Sequence, residues 1–350
     1  MNLSKVFIED IRKLIVTARE TITRGVDLVQ VYTNFEIGRC IVEQEQAGKG
    51  RAAYGQEIIK ALSKRLMVEF GKGFSARNLA YMRIFYLQYQ GRFSILQSST
   101  AKLVSPKIGR SLTEPFKAET SPFTLSWTHD IFLLGIKNTD ERSFYEVEAT
   151  QQNWKVRELK RQFDSSLYER LALSRDKAGI RKLAKKGQVI EKPEDLLKEP
   201  LVLEFLGLEE SSRYSESDVE TAIINQIEHF LLELGKGFLF EGRQRRFSFD
   251  NKHFFVDLVF YNRLLNCFVL IDLKIGELTH QDVGQMQMYV NYYDRVVKTK
   301  SEHKTIGIVL CKQSNTAVVE FTLPKNNKQI FSREYKLYLP SKQQLKKQLM

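Results

Sequence analysis

The chain has 350 residues, 43% of them hydrophobic, and carries 54 Lys and Arg against 42 Asp and Glu for a formal net charge of +12. That length suits two domains and that composition a globular protein; no run is long and apolar enough for a membrane span, and Met1–Glu20 lacks the basic start, apolar centre and small-residue site of a cleavable leader. Residues 1–200 hold 34 basic against 24 acidic residues and residues 201–350 hold 20 against 18, so the surplus suited to a polyanion lies in the first half, although a merely basic soluble surface would read the same way.

Residues 3–47 carry helical spacing in two stretches, Leu3–Arg19 and Val26–Gln46. The glycine-rich AGKGRAAYG that follows has neither a preceding strand nor a Gly-Lys-Ser/Thr ending, which excludes a phosphate-binding loop. Gln56–Phe70 then reads as a helix, GKGF as a turn, and Ser75 as the cap of a second helix, Ala76–Gln88. Two helices about a glycine turn can form a helix-turn-helix, and the second offers Arg77, Asn78, Tyr81 and Arg83 to phosphates or base edges. The same unit can equally serve packing or dimerisation.

Residues 91–124 are polar and rich in Gly, Ser and Pro, and read as a loop. Helices resume at LSWTHDIFLLGI behind Ser126, over Asp140–Gln151, and over Trp154–Ala172 with Asn153 as cap. Arg157, Lys160, Arg161 and Arg170 make this last helix basic. Trp127 and Trp154 read as core anchors, with base stacking as the lesser alternative. The charged stretch 173–200 ends in EKPEDLLKEP and marks a boundary. The expected organisation is a mainly helical, basic DNA-binding or interaction domain over 1–175, a charged linker over 176–200, a second domain over 201–340 and a tail over 341–350.

In that second domain Leu201–Leu208 is a short apolar docking segment. Glu216–Leu234 reads as one helix with Val219, Ile223, Ile227, Phe230, Leu231 and Leu234 in a stripe. Glu220 falls inside the stripe, Glu228 at its edge and Glu233 outside it. Gly237–Arg246 reads as a strand leading to a turn at Asp250–Asn251, and its Arg243, Arg245 and Arg246 suit a phosphate backbone. Phe254–Tyr261 and Cys267–Ile275 are apolar runs of strand composition joined by a connection of hairpin length. A helix over Gln281–Tyr293 follows, then strands at Thr305–Cys311 and Ala317–Leu323 and an edge strand at Tyr335–Leu339. This order fits an α/β core with a mixed sheet. Cys40, Cys267 and Cys311 read as free buried thiols of a reducing cytoplasm rather than disulfides or a zinc cluster.

Each apolar run of the hairpin carries one aspartate that its neighbours do not explain, Asp257 and Asp272. Lys274 follows Asp272 by two positions and so shares its face of the strand. A buried charge is costly unless it is paired or holds a metal. Two carboxylates can hold Mg2+, which lowers the pKa of a bound water and offsets phosphate charge, and a lysine beside them can orient the water or neutralise the phosphate. A structural salt bridge at a strand end is the plainer alternative. Glu220 faces the same core and a shared cation would relieve the repulsion, although a glutamate in a first helical turn needs no cation. Gln285 and Tyr289 share a helix face and can bond a phosphate or a base, or simply each other's surroundings at the surface.

The order helix with Glu, strand with Asp, strand with Asp-x-Lys, helix with Gln-x-x-x-Tyr resembles the PD-(D/E)XK nuclease superfamily. Within it the chain resembles the YhcG-like nucleases, which join such a domain to a conserved N-terminal domain. The resemblance is carried by IGRCIVEQEQ, GFSARNLAYMR, LLELGKGFLFEGRQRRF, DLVFYNRLLNCFVLIDLK, GQMQMY and IGIVLCK. It implies a restriction-endonuclease-like core with a mixed sheet behind a mainly α-helical domain. It implies Asp257 as the superfamily aspartate, Asp272 and Lys274 as the acid-x-Lys pair, Glu220 as the first-helix acid, and Gln285 with Tyr289 as accessory residues. Asp272 stands where many such nucleases have glutamate, one methylene shorter but with the same oxygen chemistry. The expected function is Mg2+-dependent hydrolysis of phosphodiesters, with Mn2+ as a substitute, in DNA above other nucleic acids and endonucleolytic above exonucleolytic. The alternative is a nucleic-acid-binding or regulatory subunit of a restriction, defence or DNA-processing assembly, a homo-oligomer or a partner of defence-system subunits, without cleavage of its own.

Overall fold

A computed structural model describes residues 27–46, 52–100, 123–173, 175, 177–208, 214–249, 251–343 and 345. The expected helix Leu3–Arg19 and most of the 91–124 loop lie outside these residues. The chain divides into two compact units, Met1–Leu159 and Lys160–Met350.

The first unit is helical. Helix α1 spans 27–46, α2 Ala52–Phe70, α3 Ala76–Thr100, α4 Trp127–Leu134 and α5 Thr139–Gln151. Its core gathers Val31, Phe35, Leu79, Met82, Phe85 and Trp127, with Phe85 edge-on to Trp127 at 5.3 Å between ring centres. Gly38 lets α1 lie directly on α3, since a Cβ there would come within 2.1 Å of the Met82 carbonyl oxygen. The glycine turn is present: Gly71 sits at φ 86, a 3-10 turn covers Lys72–Phe74, and Ser75 Oγ accepts from the Asn78 amide. Helix α3 continues to Thr100 where a loop was expected from residue 91. Its polar composition had masked a helix whose inner face carries Phe85 and Tyr89. Asn138 caps α5 by accepting from Asp140 and Glu141.

The expected helix over 154–172 is two, α6 Val156–Asp164 and α7 Leu167–Leu173, broken at Ser166 with φ 56. Asn153 lies at φ 52, outside a capping conformation. Arg170 occupies the break, its Nε donating to the Ser165 carbonyl at 2.8 Å. The region expected as linker holds α8, Lys177–Lys186, and a 3-10 turn, Pro193–Leu196, with Leu196 and Leu197 in the core.

The second unit is built on a six-stranded sheet ordered β1-β6-β5-β4-β3-β2. The strands are β1 Leu201–Val202, β2 Phe238–Phe249, β3 Lys252–Asn262, β4 Cys267–Glu277, β5 Ile306–Gln313 and β6 Ile330–Lys336. The β2–β3–β4 pairs are antiparallel and the β4–β5, β5–β6 and β6–β1 pairs parallel, a mixed sheet. Alternation along β3 and β4 sends Leu258, Phe260, Val269, Ile271 and Leu273 to one face, under α9 Glu216–Asn225 and α10 Ile227–Leu234. Val259 and Leu270 point to the other, under α11 His280–Tyr292 and α12 Thr316–Thr322. Gly307 on β5 admits α11, because a Cβ there would meet Met286 at 2.6 Å.

Three sequence expectations change. Residues 317–322 of the strand expected over 317–323 lie in helix α12; both neighbours of β5 are already β4 and β6, and Asn315 starts the helix by accepting from the Val318 amide. The last strand runs Ile330–Lys336, inside the sheet between β5 and β1, so the edge belongs to β1. The helix expected over 216–234 breaks at Gln226, at φ −118 and ψ 32. The break turns α10 so that Glu233, expected outward, is fully buried.

Glu233 meets Arg170 there. The guanidinium Nη1 bonds Glu233 Oε1 and also donates to the Pro200 carbonyl at 3.0 Å. Arg161 lies 3.5 Å from the second carboxylate oxygen and pairs with Glu204 at 2.8 Å. The Val202 amide donates to Glu233 Oε1 at 3.0 Å. Burial alone would raise the Glu233 carboxyl, but Arg170, Lys198 and Arg161 outweigh it and bring it down to about 2. Thus Arg161 and Arg170, expected as part of a basic surface, point inward. Cys267 and Cys311 are buried thiols as expected, whereas Cys40 is exposed.

Candidate active site

The site forms where β3 and β4 part. Their ladder ends at the Leu258–Ile271 pair. One residue further, the Leu273 amide bonds to a side chain, Asp257 Oδ2, at 2.8 Å. The carboxylate therefore stands in the opening of the sheet. Asp272, 2% exposed, lies on the facing strand. Lys274 Nζ is 3.0 Å from Asp272 Oδ2, an ion pair without hydrogen-bond alignment, and 3.4 Å from Glu216 Oε2. Ser215 caps α9 and projects Glu216 and, one turn on, buried Glu220 toward the same end of the sheet.

Burial pushes the Asp272 carboxyl up to about 7; Asp257 adds to the rise and Lys274 opposes it. Burial works against the Lys274 ammonium, but Asp272, Glu216 and Asp257 outweigh it and raise its pKa above the ordinary lysine value. Burial also raises Glu220, with Gln244 opposing and Asp257 reinforcing the shift. Gln285 donates to the Tyr289 hydroxyl on α11. The Tyr289 phenol is pushed up to about 12, chiefly by burial, with Asp272 and Asp257 contributing, which puts the pair within electrostatic reach of the carboxylates.

Glu220, Asp257, Asp272, Lys274, Gln285 and Tyr289 thus lie around one end of the sheet. Among the described residues, no three carboxylate, imidazole or thiol groups converge as a ready metal cage. Between Glu220 and Asp257 stands an amide: Gln244 Nε2 donates to Glu220 Oε2 at 2.6 Å and to Asp257 Oδ1 at 3.0 Å. Gln244 and Glu216 were not singled out from the sequence. The signal for Gln244 was the turn at Asp250–Asn251, since a hairpin closed there places position 244 opposite 257. Glu216 sits one helical turn before Glu220.

The arginines of β2 divide. Arg243 influences Glu220 and is exposed. Arg246 contacts the His253 ring at 3.0 Å. Arg245 is engaged by Glu241 four residues before it. In the first unit, Asn78 accepts from Trp127 Nε1 at 2.9 Å and donates to the Gly73 carbonyl. Arg83 pairs with Glu45 at 2.7 Å, and Arg77 is exposed with its guanidinium over the Tyr81 ring. Of the four residues expected to contact nucleic acid there, Asn78 and Arg83 thus pair with partners elsewhere in the helical unit, and Arg77 and Tyr81 contact each other.

Residues 194–350 match the YhcG PDDEXK nuclease domain and residues 10–170 the DUF1016 N-terminal domain. A curated relative from Escherichia coli (strain K12), "Putative nuclease YhcG", is 39% identical over 349 residues, covering 96% of this chain and 91% of that protein. Two solved structures overlap loosely. A repair endonuclease from Pyrococcus abyssi is 19% identical over 38% of this chain and 50% of its own, with a TM-score of 0.25. The EndoMS–dsDNA2 complex is 16% identical over 39% of this chain and 51% of its own, with a TM-score of 0.26. Neither overlap bears on the role of any residue. With the two domain matches in tandem and a relative aligned along nearly its full length, the chain belongs to the YhcG-like family of PDDEXK nucleases.

Proposed function

We propose that the protein is a divalent-cation-dependent nuclease that hydrolyses phosphodiester bonds in DNA, with Mg2+ as the cation and Mn2+ able to replace it. The observation that carries this reading is the opening between β3 and β4, which sets Asp257, Asp272 and Lys274 together at a strand end. The donor set fits a hard cation: carboxylate oxygens of Glu220, Asp257 and Asp272, with Asp272 buried beside Lys274. A bound Mg2+ would supply acidity to a coordinated water and charge to offset the phosphate.

The side chains have separate tasks. Lys274 keeps its proton, because its pKa lies above the ordinary lysine value. It serves as a positive charge against the phosphate, positions the attacking water and holds Asp272 in place. Asp257 is fixed by the Leu273 amide through Oδ2, and its Oδ1 faces Glu220 across the Gln244 amide. Tyr289 stays a neutral phenol and, with Gln285, offers hydrogen bonds to the substrate. Arg243 and Arg246 on β2 meet the phosphate backbone, and exposed Arg77 of the first unit adds duplex affinity.

The test is Asp257→Asn, assayed on plasmid, linear duplex and single-stranded DNA with Mg2+. Cleavage should fall by roughly two to four orders of magnitude while the melting temperature holds. Cleavage at the wild-type rate by folded variant protein would overturn the assignment.

A further inference from the structure

Gln244 occupies a position that none of its neighbours could fill. It lies between the Arg243–Leu258 and Arg245–Val256 pairs of the β2–β3 ladder, facing Asp257 across the hairpin. Its backbone sits at φ 47, in the left-handed region uncommon for a residue with a Cβ. Its amide nitrogen bridges Glu220 and Asp257 at 2.6 and 3.0 Å. The orientation of that amide follows from chemistry: turned round, its oxygen would face two carboxylate oxygens with no proton between them.

The sequence around it, Arg243-Gln244-Arg245-Arg246, is otherwise cationic. An arginine at 244 would neutralise the two carboxylates permanently and keep a metal out. A glutamate would add a third like charge. Glutamine offers a donor and an acceptor on one neutral group, exchanged by rotation about its terminal torsion, which has broad, nearly two-fold preferences.

We propose that Gln244 is a swivelling member of the cation site: its amide nitrogen holds Glu220 and Asp257 together while no cation is bound, and a half-turn presents Oε1 to the cation when one arrives. The proposal rests on the divalent-cation reading above and adds to it a residue outside the Glu, Asp and Asp-x-Lys set. Side-chain oxygen is the ligand type Mg2+ and Mn2+ take, and an exposed edge-strand position leaves the amide room to turn.

The experiment is calorimetric titration of the full chain with Mn2+, using wild type, Gln244→Glu and Gln244→Leu, with melting curves in chelator. Gln244→Glu keeps an oxygen and loses the N–H, so it should bind Mn2+ about tenfold more tightly than wild type yet melt lower without metal. Gln244→Leu loses both groups and should bind about tenfold more weakly. A residue that only braces the two carboxylates gives weaker binding in both variants, and a bystander gives three equal affinities; either result overturns the proposal. A wild type that takes up no Mn2+ overturns the cation reading itself, a result distinct from both.

Discussion

Arg170 and Glu233, 63 positions apart, form an ion pair with no solvent exposure on either side chain. Removing one partner strands the other charge in the interior, at a cost of about 3–5 kcal/mol. Arg170→Met and Glu233→Gln should each lower the unfolding free energy, measured by urea titration, by that amount, and the double change to Met and Leu should recover part of it. The Glu233 carboxyl is depressed, so its contribution is present above the unfolded glutamate value of about 4.3 and disappears as pH falls toward 2. The pair also sets the shortest fragment that folds. Residues 160–350 should unfold cooperatively by circular dichroism, and residues 201–350, which lack Arg161, Arg170 and Lys198, should not.

Asp272 gives the opposite pH dependence. Its carboxyl is raised to about 7, so the metal-free folded protein takes up a proton that the unfolded chain, near 3.9, has already released. That contribution is fully present below about pH 4 and is lost as pH rises through 7. Asp272→Asn in chelator should therefore melt higher than wild type at pH 8, by about 1–2 kcal/mol of stability, and the gap should narrow as pH falls and close near pH 4. Mn2+ affinity of the wild type should climb with pH up to about 7 and flatten beyond it, since the cation and the proton compete for one carboxylate.

The β2 arginines should separate in binding assays. Arg243→Ala and Arg246→Ala should each lower duplex affinity and reduce the slope of log affinity against log salt by about one. Arg245→Ala should change the slope least, because Glu241 already engages that guanidinium. Fluorescence anisotropy with a labelled duplex, from low to moderate salt in Ca2+ or chelator, measures all three.

The parts of the fold that were legible in sequence are those with strong local patterning. The hairpin of Asp257 and Asp272 announced itself through two apolar runs and two charges out of place, and the Gln285–Tyr289 pair through helical spacing. Ser75 stands at the start it caps, a preference written in a single residue. What was illegible depends on distant partners. Glu233 looked outward because a wheel drawn through Gln226 assumes an unbroken helix, and its burial is made tolerable by Arg170, Arg161 and Lys198, all distant in sequence. Val318 and Val319 favour strands intrinsically, but both edges of β5 were taken and Asn315 tipped the segment into a helix. Asn78 carried a side chain suited to base edges, and Trp127, 49 positions on, claims it.

The bond from the Leu273 amide to Asp257 gives the molecule its own reporter. That N–H is held by an ionisable side chain at a point where the backbone ladder has ended. Its proton resonance and its exchange with deuterated water should therefore register what happens at the carboxylate, whether substitution or a newly arrived cation drawing charge away. A single amide peak, followed through a Mg2+ titration without substrate or cleavage, should report cation binding at the proposed site.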